Sequence, residues 1–361
     1  MAVAVRALVT GANGLVGANL VRALVREGHE VRPLVRAGAD LTSLEGVPVE
    51  PVVGDVLDAD RLRRIVGDCE VVFHTAVPFV YGTVDVDLER VAVTGTANVL
   101  RAASDGGVRR VVVTSSSVVF GFRPAPQAID ESVGVTDPAR QPSYVAAKIQ
   151  QDRRALALAS ELGVELVLVC PTMSVGPYAT RLGPSNAVLI QVLVDPLGVT
   201  YDGGCNIVAV EDVAYGHLLA AERGGNGEHY LLGAENLRWA DVHDTVADLA
   251  GAVPRRLELN HTLTYLAASV EELRARVGRR APVATREQAS MVGRFYWYRH
   301  DRAAALGYAP RPARRALAEA LAWLAGSPHV SRETRARLRL HPEVYEARRS
   351  LTARERELRS A

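Results

Sequence analysis

The stretch VRALVTGANGLVG, at residues 5–17, joins a short apolar run to a glycine-rich turn. Val5–Val9 is apolar and rich in β-branched residues, which is typical of a buried strand. From residue 15 onward, apolar residues recur at spacings of three and four, which predicts an amphipathic helix that ends near Gly28. A strand, a glycine turn and a helix in this order predict the first unit of an open parallel α/β sheet.

The same alternation of apolar runs and helical patterns continues to about residue 170. Each run is apolar on both faces, as expected for strands that are covered by helices on both sides. The predicted strands are Val5–Val9, Val31–Val35, Val49–Val53, Val71–Thr75, Val111–Ser115 and Leu166–Cys170. The sequence therefore predicts a doubly wound parallel sheet, the Rossmann architecture of the α/β class.

The glycine turn has the spacing of a dinucleotide site. Gly11 permits the tight turn, Gly14 lets the backbone approach a pyrophosphate, and Gly17 lets the helix pack closely on the strand. The phosphates would then face the N-terminus of the helix and its partial positive charge. A purely structural turn is the alternative, but the position at the first strand–helix junction favours dinucleotide binding. The residues predicted to form this cradle are Gly11, Asn13, Gly14, Leu15, Val16 and Gly17.

The end of the second predicted strand indicates which dinucleotide binds. Folds that bind NAD usually carry an acidic residue there, whereas this chain has Val35 followed by Arg36. A guanidinium suits a 2′-phosphate, so NADP(H) is the predicted cofactor and NAD(H) is the less favoured one. One more surface arginine is the alternative for Arg36. Asp55 and Val56 follow the third strand, where the Asp55 carboxylate would accept a hydrogen bond from the adenine amine or cap a helix.

Tyr144 and Lys148 stand four residues apart in the predicted helix Ser143–Ala159 and so share one face. Lys148 is the single lysine among 42 basic residues. An ammonium beside a phenol, together with an oxidised nicotinamide, favours the phenolate and suits the tyrosine to general acid/base catalysis. An exposed i,i+4 pair is the alternative. Thr114–Ser117 follows the fifth strand, where a hydroxyl would hold a substrate carbonyl, although serines are also common in turns.

With these motifs, residues 3–325 resemble the extended short-chain dehydrogenases/reductases, the NAD-dependent epimerase/dehydratase group. The segments 31–36, 206–214 and 306–308 are similar to its dihydroflavonol-4-reductase-like branch and to hopanoid-associated sugar-epimerase-like relatives. The resemblance implies that Ser116 is the active-site serine, that Tyr144 is the acid/base, and that Lys148 binds the nicotinamide ribose. It also implies that His74 is structural and that the cofactor lies beside Thr75, Ala76, Pro171 and Met173.

Two departures from the family pattern bear on the substrate. Ala92 stands where many nucleotide-sugar enzymes have asparagine, and Cys205 stands where an arginine often clamps the sugar-nucleotide diphosphate. A diphosphate would lose a charge-assisted contact there, unless Arg181 replaces that arginine. The apolar segment 77–81 favours a hydrophobic or aromatic substrate. The residues predicted to contact the substrate are Val77, Phe79, Ser117 and Tyr178.

The sequence therefore predicts an NADPH-dependent reductase of a ketone or aldehyde, with Tyr144 as general acid. A nucleotide-sugar epimerase or dehydratase that retains its NAD(P) is the alternative. A third hypothesis is a binding protein that only senses NADP(H). Such a sensor need not keep the serine, tyrosine and lysine together, so the sequence favours an enzyme.

After Pro171 the pattern becomes less regular and predicts a smaller C-terminal lobe that binds the substrate. Pro312–Leu324 is a predicted helix, and Arg332–Ala361 alternates Arg and Glu as in a solvated helical tail. The aromatic run Phe295–Tyr298 either lines a pocket or forms a strand packed on the core. The predicted division is a dinucleotide-binding domain at 1–170 with a returning segment at about 205–235, a lobe at 171–204 and 236–330, and the tail at 331–361.

Composition and charge limit the partners. With 42 Lys plus Arg against 41 Asp plus Glu, the formal net charge is +1, so neither nucleic acid nor a membrane surface is an expected partner. Three cysteines without a CxxC pair indicate neither disulfides nor a metal site. No targeting signal or membrane-spanning apolar run is present, which favours a cytoplasmic location. The family resemblance implies a homodimer.

Overall fold

Thirteen strands are present in the part of the chain that the structure, a computed structural model, describes: residues 4–77, 87–278 and 289–360. They are β1 (Arg6–Thr10), β2 (Glu30–Val35), β3 (Val52–Val53), β4 (Val71–His74), β5 (Arg110–Thr114), β6 (Glu165–Pro171), β7 (Met173–Val175), β8 (Val199–Tyr201), β9 (Gly204–Ala209), β10 (His229–Leu232), β11 (Glu235–Arg238), β12 (Leu257–Leu259) and β13 (Phe295–Tyr296). Seven of them form one sheet in the order β10-β6-β5-β4-β1-β2-β3, with every neighbouring pair parallel.

Helices connect these strands. They are α1 (Leu15–Arg26), α2 (Ala59–Val66), α3 (Thr96–Asp105), α4 (Ser143–Leu162), α5 (Pro184–Val194), α6 (Val210–Arg223), α7 (Trp239–Ala250), α8 (His261–Val277), α9 (Asp301–Ala305), α10 (Ala313–Leu324), α11 (Arg332–Arg337) and α12 (Pro342–Ser360). A π-helical turn, Arg90–Gly95, leads into α3. Within the described residues, no helix is both long enough and apolar enough to cross a membrane.

The sheet confirms the predicted doubly wound fold. Alternate residues of each strand point to opposite faces: Val9 of β1 packs with α1 and α6, whereas its neighbour Leu8 packs with α2, α3 and α4. The chain reverses its direction of winding between β1 and β4, which lie side by side. Ligands of open α/β sheets bind at the carboxyl ends of the strands at such a reversal, so this edge is where the site is expected.

The predicted third strand is shorter than expected. Val49–Val53 was the expected range, but the strand begins at Val52 and pairs only with Leu34 and Val35 of β2. Pro48 precedes the segment and Pro51 interrupts it, and neither has an N–H to donate to a neighbouring strand. The pairing therefore starts only after the second proline.

A second, smaller sheet combines strands of the predicted lobe with β9, which begins the predicted returning segment. Strands β11, β9 and β13 are neighbours, and β7 pairs with β9. Part of the aromatic run forms β13, and Phe295 and Tyr298 are buried at 5% and 2% exposure. The run thus forms a strand packed on the core, the second of the two predicted alternatives.

The C-terminal segment is helical, as predicted, but it is not solvated on all sides. Val344, Ala347 and Leu358 of α12 are buried, and Arg354 forms an ion pair with Glu211 of α6. The apolar residues of α12 recur at helical spacing among the charged ones and so form a narrow stripe that packs on the lobe and on α1. The sequence analysis did not identify this apolar stripe, because Arg and Glu residues dominate the segment.

Candidate active site

The glycine turn at the end of β1 has the shape of a phosphate cradle. Gly11 adopts φ +66°, and a Cβ at Gly11 would lie 2.8 Å from the Cα of Ala76. A Cβ at Gly17 would lie 2.2 Å from the carbonyl oxygen of Gly11, so helix and turn touch. Helix α1 begins at Leu15, and its N-cap, Gly14, provides no side-chain cap. The N-terminus of α1 therefore fits the phosphates of a dinucleotide.

Asn13 holds the turn in place. Its side-chain amide donates to the carbonyl oxygen of Asp40 at 3.1 Å. Its own carbonyl oxygen accepts hydrogen bonds from Ser43 at 3.1 Å and from Thr180 at 3.2 Å. Asn13 therefore lies in the predicted cradle, and its observed contacts fix the backbone of that cradle.

Arg36 lies where a ribose phosphate is expected, directly after β2 and exposed to solvent. Asp55 accepts a hydrogen bond from the backbone N–H of Leu57 at 2.9 Å, so one carboxylate oxygen is used in a local turn. Val56 is buried against Gly95. Arg36 and Asp55 both follow strands at the carboxyl edge of the sheet, on the side of β1 predicted to hold the adenosine half of the cofactor.

Ser116 and Tyr144 share a hydrogen bond. Ser116 follows β5 at the carboxyl edge of the sheet, and Tyr144 lies in the first turn of α4. Lys148, one turn further along α4, donates from Nζ to the carbonyl oxygen of Thr114 at 2.7 Å and to Oε1 of Gln151 at 3.0 Å. The structure therefore brings the three predicted catalytic residues together at the end of β5, where all three are buried.

Burial sets the protonation of this group. Desolvation raises the pKa of Tyr144 well above its ordinary value, and the hydrogen bond from Ser116 only partly opposes this rise. Desolvation also lowers the pKa of Lys148 to about 8, against a smaller opposing effect of Asp152. In the protein alone, Tyr144 is therefore a protonated phenol, whereas the sequence suggested that Lys148 and an oxidised nicotinamide together favour the phenolate.

The three serines of the cluster have different partners. Ser115 donates to Oδ2 of Asp152 at 2.6 Å, and His229 lies 3.2 Å from the same oxygen. Ser117 hydrogen-bonds the hydroxyl of Tyr298. Ser116 is therefore the serine of the cluster that pairs with Tyr144, whereas Ser117, predicted to contact substrate, has Tyr298 as a partner.

His74 has the structural role predicted for it. It is fully buried between the hydroxyls of Thr10 and Thr96, at 2.8 and 3.0 Å, and burial lowers its pKa to about 3. It is therefore neutral. Its neighbour Thr75 donates to the carbonyl oxygen of Thr10 at 2.7 Å, which places the Thr75–Ala76 segment against the glycine turn.

Tyr178, predicted to contact substrate, contacts α1 and the C-terminal helix in this structure. Its ring stacks on the guanidinium of Arg22, 3.7 Å from the ring centroid, and its hydroxyl hydrogen-bonds Glu355 of α12. These partners belong to α1 and the C-terminal helix, so the structure gives no support for substrate contact by Tyr178. The sequence could not show this, because α12 reaches α1 only through the tertiary fold.

The remaining predicted residues are accounted for as follows. Pro171 ends β6 and Met173 begins β7, at the carboxyl edge of the sheet. Cys205 is buried in β9 of the smaller sheet, while Arg181 is exposed. Val77 is half-buried beside Leu88 and Ala92. Phe79 lies outside the described residues.

Comparison with known proteins agrees with this geometry. The family model described as the NAD dependent epimerase/dehydratase family matches residues 7–233. A putative dihydroflavonol 4-reductase of Synechocystis sp. is 32% identical over 89% of this chain and 95% of its own length. A 4-hydroxy-2-methyl-3-oxo-4-farnesyl-3,4-dihydroquinoline-1-oxide ketoreductase of Stigmatella aurantiaca is 34% identical over 63% of this chain and 67% of its own.

Solved structures share the fold. The crystal structure of gox2253 superposes with a TM-score of 0.79 and 33% identity, over 90% of this chain and 99% of that one. The UDP-glucose 4-epimerase of Thermus thermophilus, solved with NAD, gives a TM-score of 0.71 at 21% identity, over 89% of this chain and 99% of that one. These similarities confirm the resemblance drawn from the motifs.

Proposed function

Because the chain belongs to the NAD-dependent epimerase/dehydratase family and is an NAD(P)-dependent oxidoreductase, we propose that it uses NADPH to reduce a ketone or aldehyde on a small hydrophobic molecule. The observation that carries the proposal is the hydrogen-bonded Ser116–Tyr144 pair, with Lys148 one helical turn away. In this proposal, residues 1–170 bind the cofactor, and the lobe at 171–204 and 236–330 binds the substrate. The relatives named as reductases support it.

The protein residues would divide the work of a reduction. A bound NADPH supplies a hydride to the carbonyl carbon. The protonated phenol of Tyr144 donates its proton to the carbonyl oxygen as negative charge develops there. Ser116 would turn its single hydroxyl hydrogen from Tyr144 to the same oxygen and donate a hydrogen bond to it. Solvent then restores the proton on Tyr144. A raised phenol pKa suits this direction, because it keeps Tyr144 protonated at neutral pH.

The cradle fits such a cofactor. The N-terminus of α1 has no side-chain cap, which supports phosphate binding there. Lys148 donates to Thr114 and Gln151, and in this proposal its third N–H binds ribose hydroxyls. Within the described residues, the Arg36 guanidinium takes part in no recorded ion pair, so it is available for a 2′-phosphate. A homodimer in the cytoplasm, as expected from the family resemblance and the sequence, remains part of the proposal.

We expect Arg36→Ala to weaken NADPH binding by about 10- to 100-fold, the size of a lost charge-assisted contact, and to leave NADH binding unchanged. Fluorescence titration with each cofactor measures both constants. Arg101→Ala, which removes another exposed arginine, on α3, is the matched control. Equal losses for NADPH and NADH would show that Arg36 does not recognise the phosphate.

A screen of hydrophobic ketones and aldehydes tests the reaction itself. We expect NADPH to be oxidised in amounts equal to the alcohol formed, with nucleotide sugars as the comparison set. Conversion of nucleotide sugars without net oxidation of NADPH would contradict the proposal and favour the epimerase or dehydratase alternative.

A further inference from the structure

A continuous chain of buried hydrogen bonds runs from the catalytic lysine to the start of the glycine turn. Lys148 donates to Oε1 of Gln151, and Nε2 of Gln151 donates to the hydroxyl of Thr96 at 2.8 Å. Thr96 contacts Nε2 of His74, and Nδ1 of His74 contacts the hydroxyl of Thr10. All five side chains are at most 3% exposed, so water does not compete for these contacts.

The chemistry of its members fixes the direction of the two bonds nearest Lys148. An ammonium can only donate, so the oxygen of the Gln151 amide faces Lys148 and its NH₂ faces Thr96. Thr96 accepts from Gln151 and keeps one hydrogen of its own. In the arrangement that continues this direction, that hydrogen points to Nε2 of His74, and the imidazole proton on Nδ1 faces Thr10. In that arrangement, every hydrogen points away from Lys148 and every acceptor points toward it. Aligned in this way, the bonds reinforce one another and stabilise a positive charge at the lysine.

We propose that Gln151 is a positioning residue, which holds the Lys148 ammonium in place and connects it, through Thr96 and His74, to Thr10 beside the glycine turn. The proposal deepens the proposed function and rests on it, because there Lys148 binds the ribose of the cofactor. Gln151 lies three residues after Lys148, so both side chains leave the same side of α4. Thr96 begins α3 directly after the π-helical turn, which sets its position opposite Gln151.

The effect of Gln151 on the pKa of Lys148 can be distinguished from the effects of the charged groups around the lysine. Asp152 of α4 raises the pKa of Lys148, and Cys170 of β6 acts in the same direction. His74 of β4 faces the lysine as a neutral imidazole, and burial keeps the Cys170 thiol protonated. Asp152 is thus the charged partner recorded for Lys148, whereas Gln151 acts through its dipole. Removing Gln151 changes the polarity around the ammonium without changing the net charge.

The single lysine of the chain makes a direct test possible. Protein labelled with ¹³C at the lysine ε-carbon, without a lysine-containing tag, gives one side-chain signal, whose pH titration reports Lys148 alone. For the wild type, we expect a midpoint near pH 8, with the charged form below it. We expect Gln151→Leu and Thr96→Val each to lower this midpoint by about 0.5 to 1 pH unit, because the charged form loses its aligned acceptors.

Conservative variants and controls complete the test. Thr96→Ser keeps the hydroxyl and should titrate as the wild type does. Gln191→Leu removes an exposed glutamine on α5 and should have no effect. Gln151→Glu places a carboxylate beside the ammonium and should raise the Lys148 midpoint, opposite to the shift expected for Gln151→Leu. The test therefore still gives a result if Gln151→Leu fails to fold. Thr96→Val matters most, because Thr96 acts on Lys148 only through Gln151.

The proposal is wrong if the Lys148 midpoint stays at the wild-type value in both Thr96→Val and Gln151→Leu. It is also wrong if the midpoint stays at that value in Gln151→Glu. The titration needs no cofactor, so it stands apart from the proposed function. NADPH affinity, measured on the same variants across pH, should fall as pH rises through each variant's own lysine midpoint. If the lysine midpoints shift as expected but the wild type neither binds NADPH nor reduces carbonyls, the proposed function fails and the positioning role of Gln151 stands.

Discussion

Tyr144→Phe should lower kcat for carbonyl reduction by about 10³-fold, within the range expected for loss of a general acid, and leave NADPH affinity within about threefold of the wild type. The substitution removes the one hydroxyl recorded in a hydrogen bond with Ser116 and keeps the ring, which is 6% exposed. Stopped-flow measurement of NADPH oxidation at saturating substrate gives the rate, and fluorescence titration gives the affinity.

Tyr308→Phe is the matched control. Tyr308 is 5% exposed, like Tyr144, but its hydroxyl has no hydrogen-bond partner among the described residues. Its loss should change neither the rate nor the affinity. If Tyr144→Phe retained more than about a tenth of the wild-type rate, the proton would come from another group, and the assignment of Tyr144 as general acid would be wrong.

The structure also assigns the pH limits of this reaction. The pKa of Tyr144 is raised, so the phenol remains protonated throughout the neutral range and sets no limit there. The pKa of Lys148 is lowered to about 8, so the ammonium is present below that pH and is lost as the pH rises through it. A fall in NADPH affinity above about pH 8 would therefore report Lys148.

The sheet and the position of the site could be predicted from the sequence because both depend on local patterns. Apolar runs such as Val5–Val9 identify strands that are buried on both faces, and the glycine spacing identifies the turn. Tyr144 and Lys148 could be paired because a helix fixes which residues share a face. In each case the residues that form the pattern belong to the same strand, turn or helix, or to neighbouring ones in the sequence.

The features that sequence analysis missed depend on contacts between distant elements. Gln151 gains its role only because Thr96, 55 residues earlier, lies opposite it. A glutamine three residues after the lone lysine was a signal, but nothing in the sequence identified its partner. The position of Tyr178 similarly depends on its hydrogen bond to Glu355 of the C-terminal helix. No pattern in the sequence links these two residues.

Glu211→Ala should lower the free energy of unfolding by about 3 to 5 kcal/mol, the cost of breaking a buried ion pair. Glu211, with a side chain 11% exposed, contacts Arg26 of α1 at 2.6 Å and Arg311 at 2.9 Å, and it pairs with Arg354 of α12. Without Glu211, Arg311 keeps Asp212 and Glu319, and Arg354 keeps Glu319, whereas Arg26 loses the carboxylate it pairs with. Denaturation by urea measures the loss.

The same network explains why the C-terminal helix is part of the folded core. Glu211 joins α12 to α1, and α1 carries the glycine turn at its N-terminus, so the substitution should destabilise the cofactor site together with the tail. Glu222→Ala is the matched control on α6, because Glu222 is exposed and its recorded ion pair, with Arg223, is at 3.9 Å. Glu222→Ala should lower the free energy of unfolding by less than about 0.5 kcal/mol.

Adding Arg354→Ala to Glu211→Ala should recover part of the lost free energy of unfolding, since it removes one of the charges that lose Glu211 as a partner. A double variant whose loss equals the sum of the two single losses would show that the two residues do not interact.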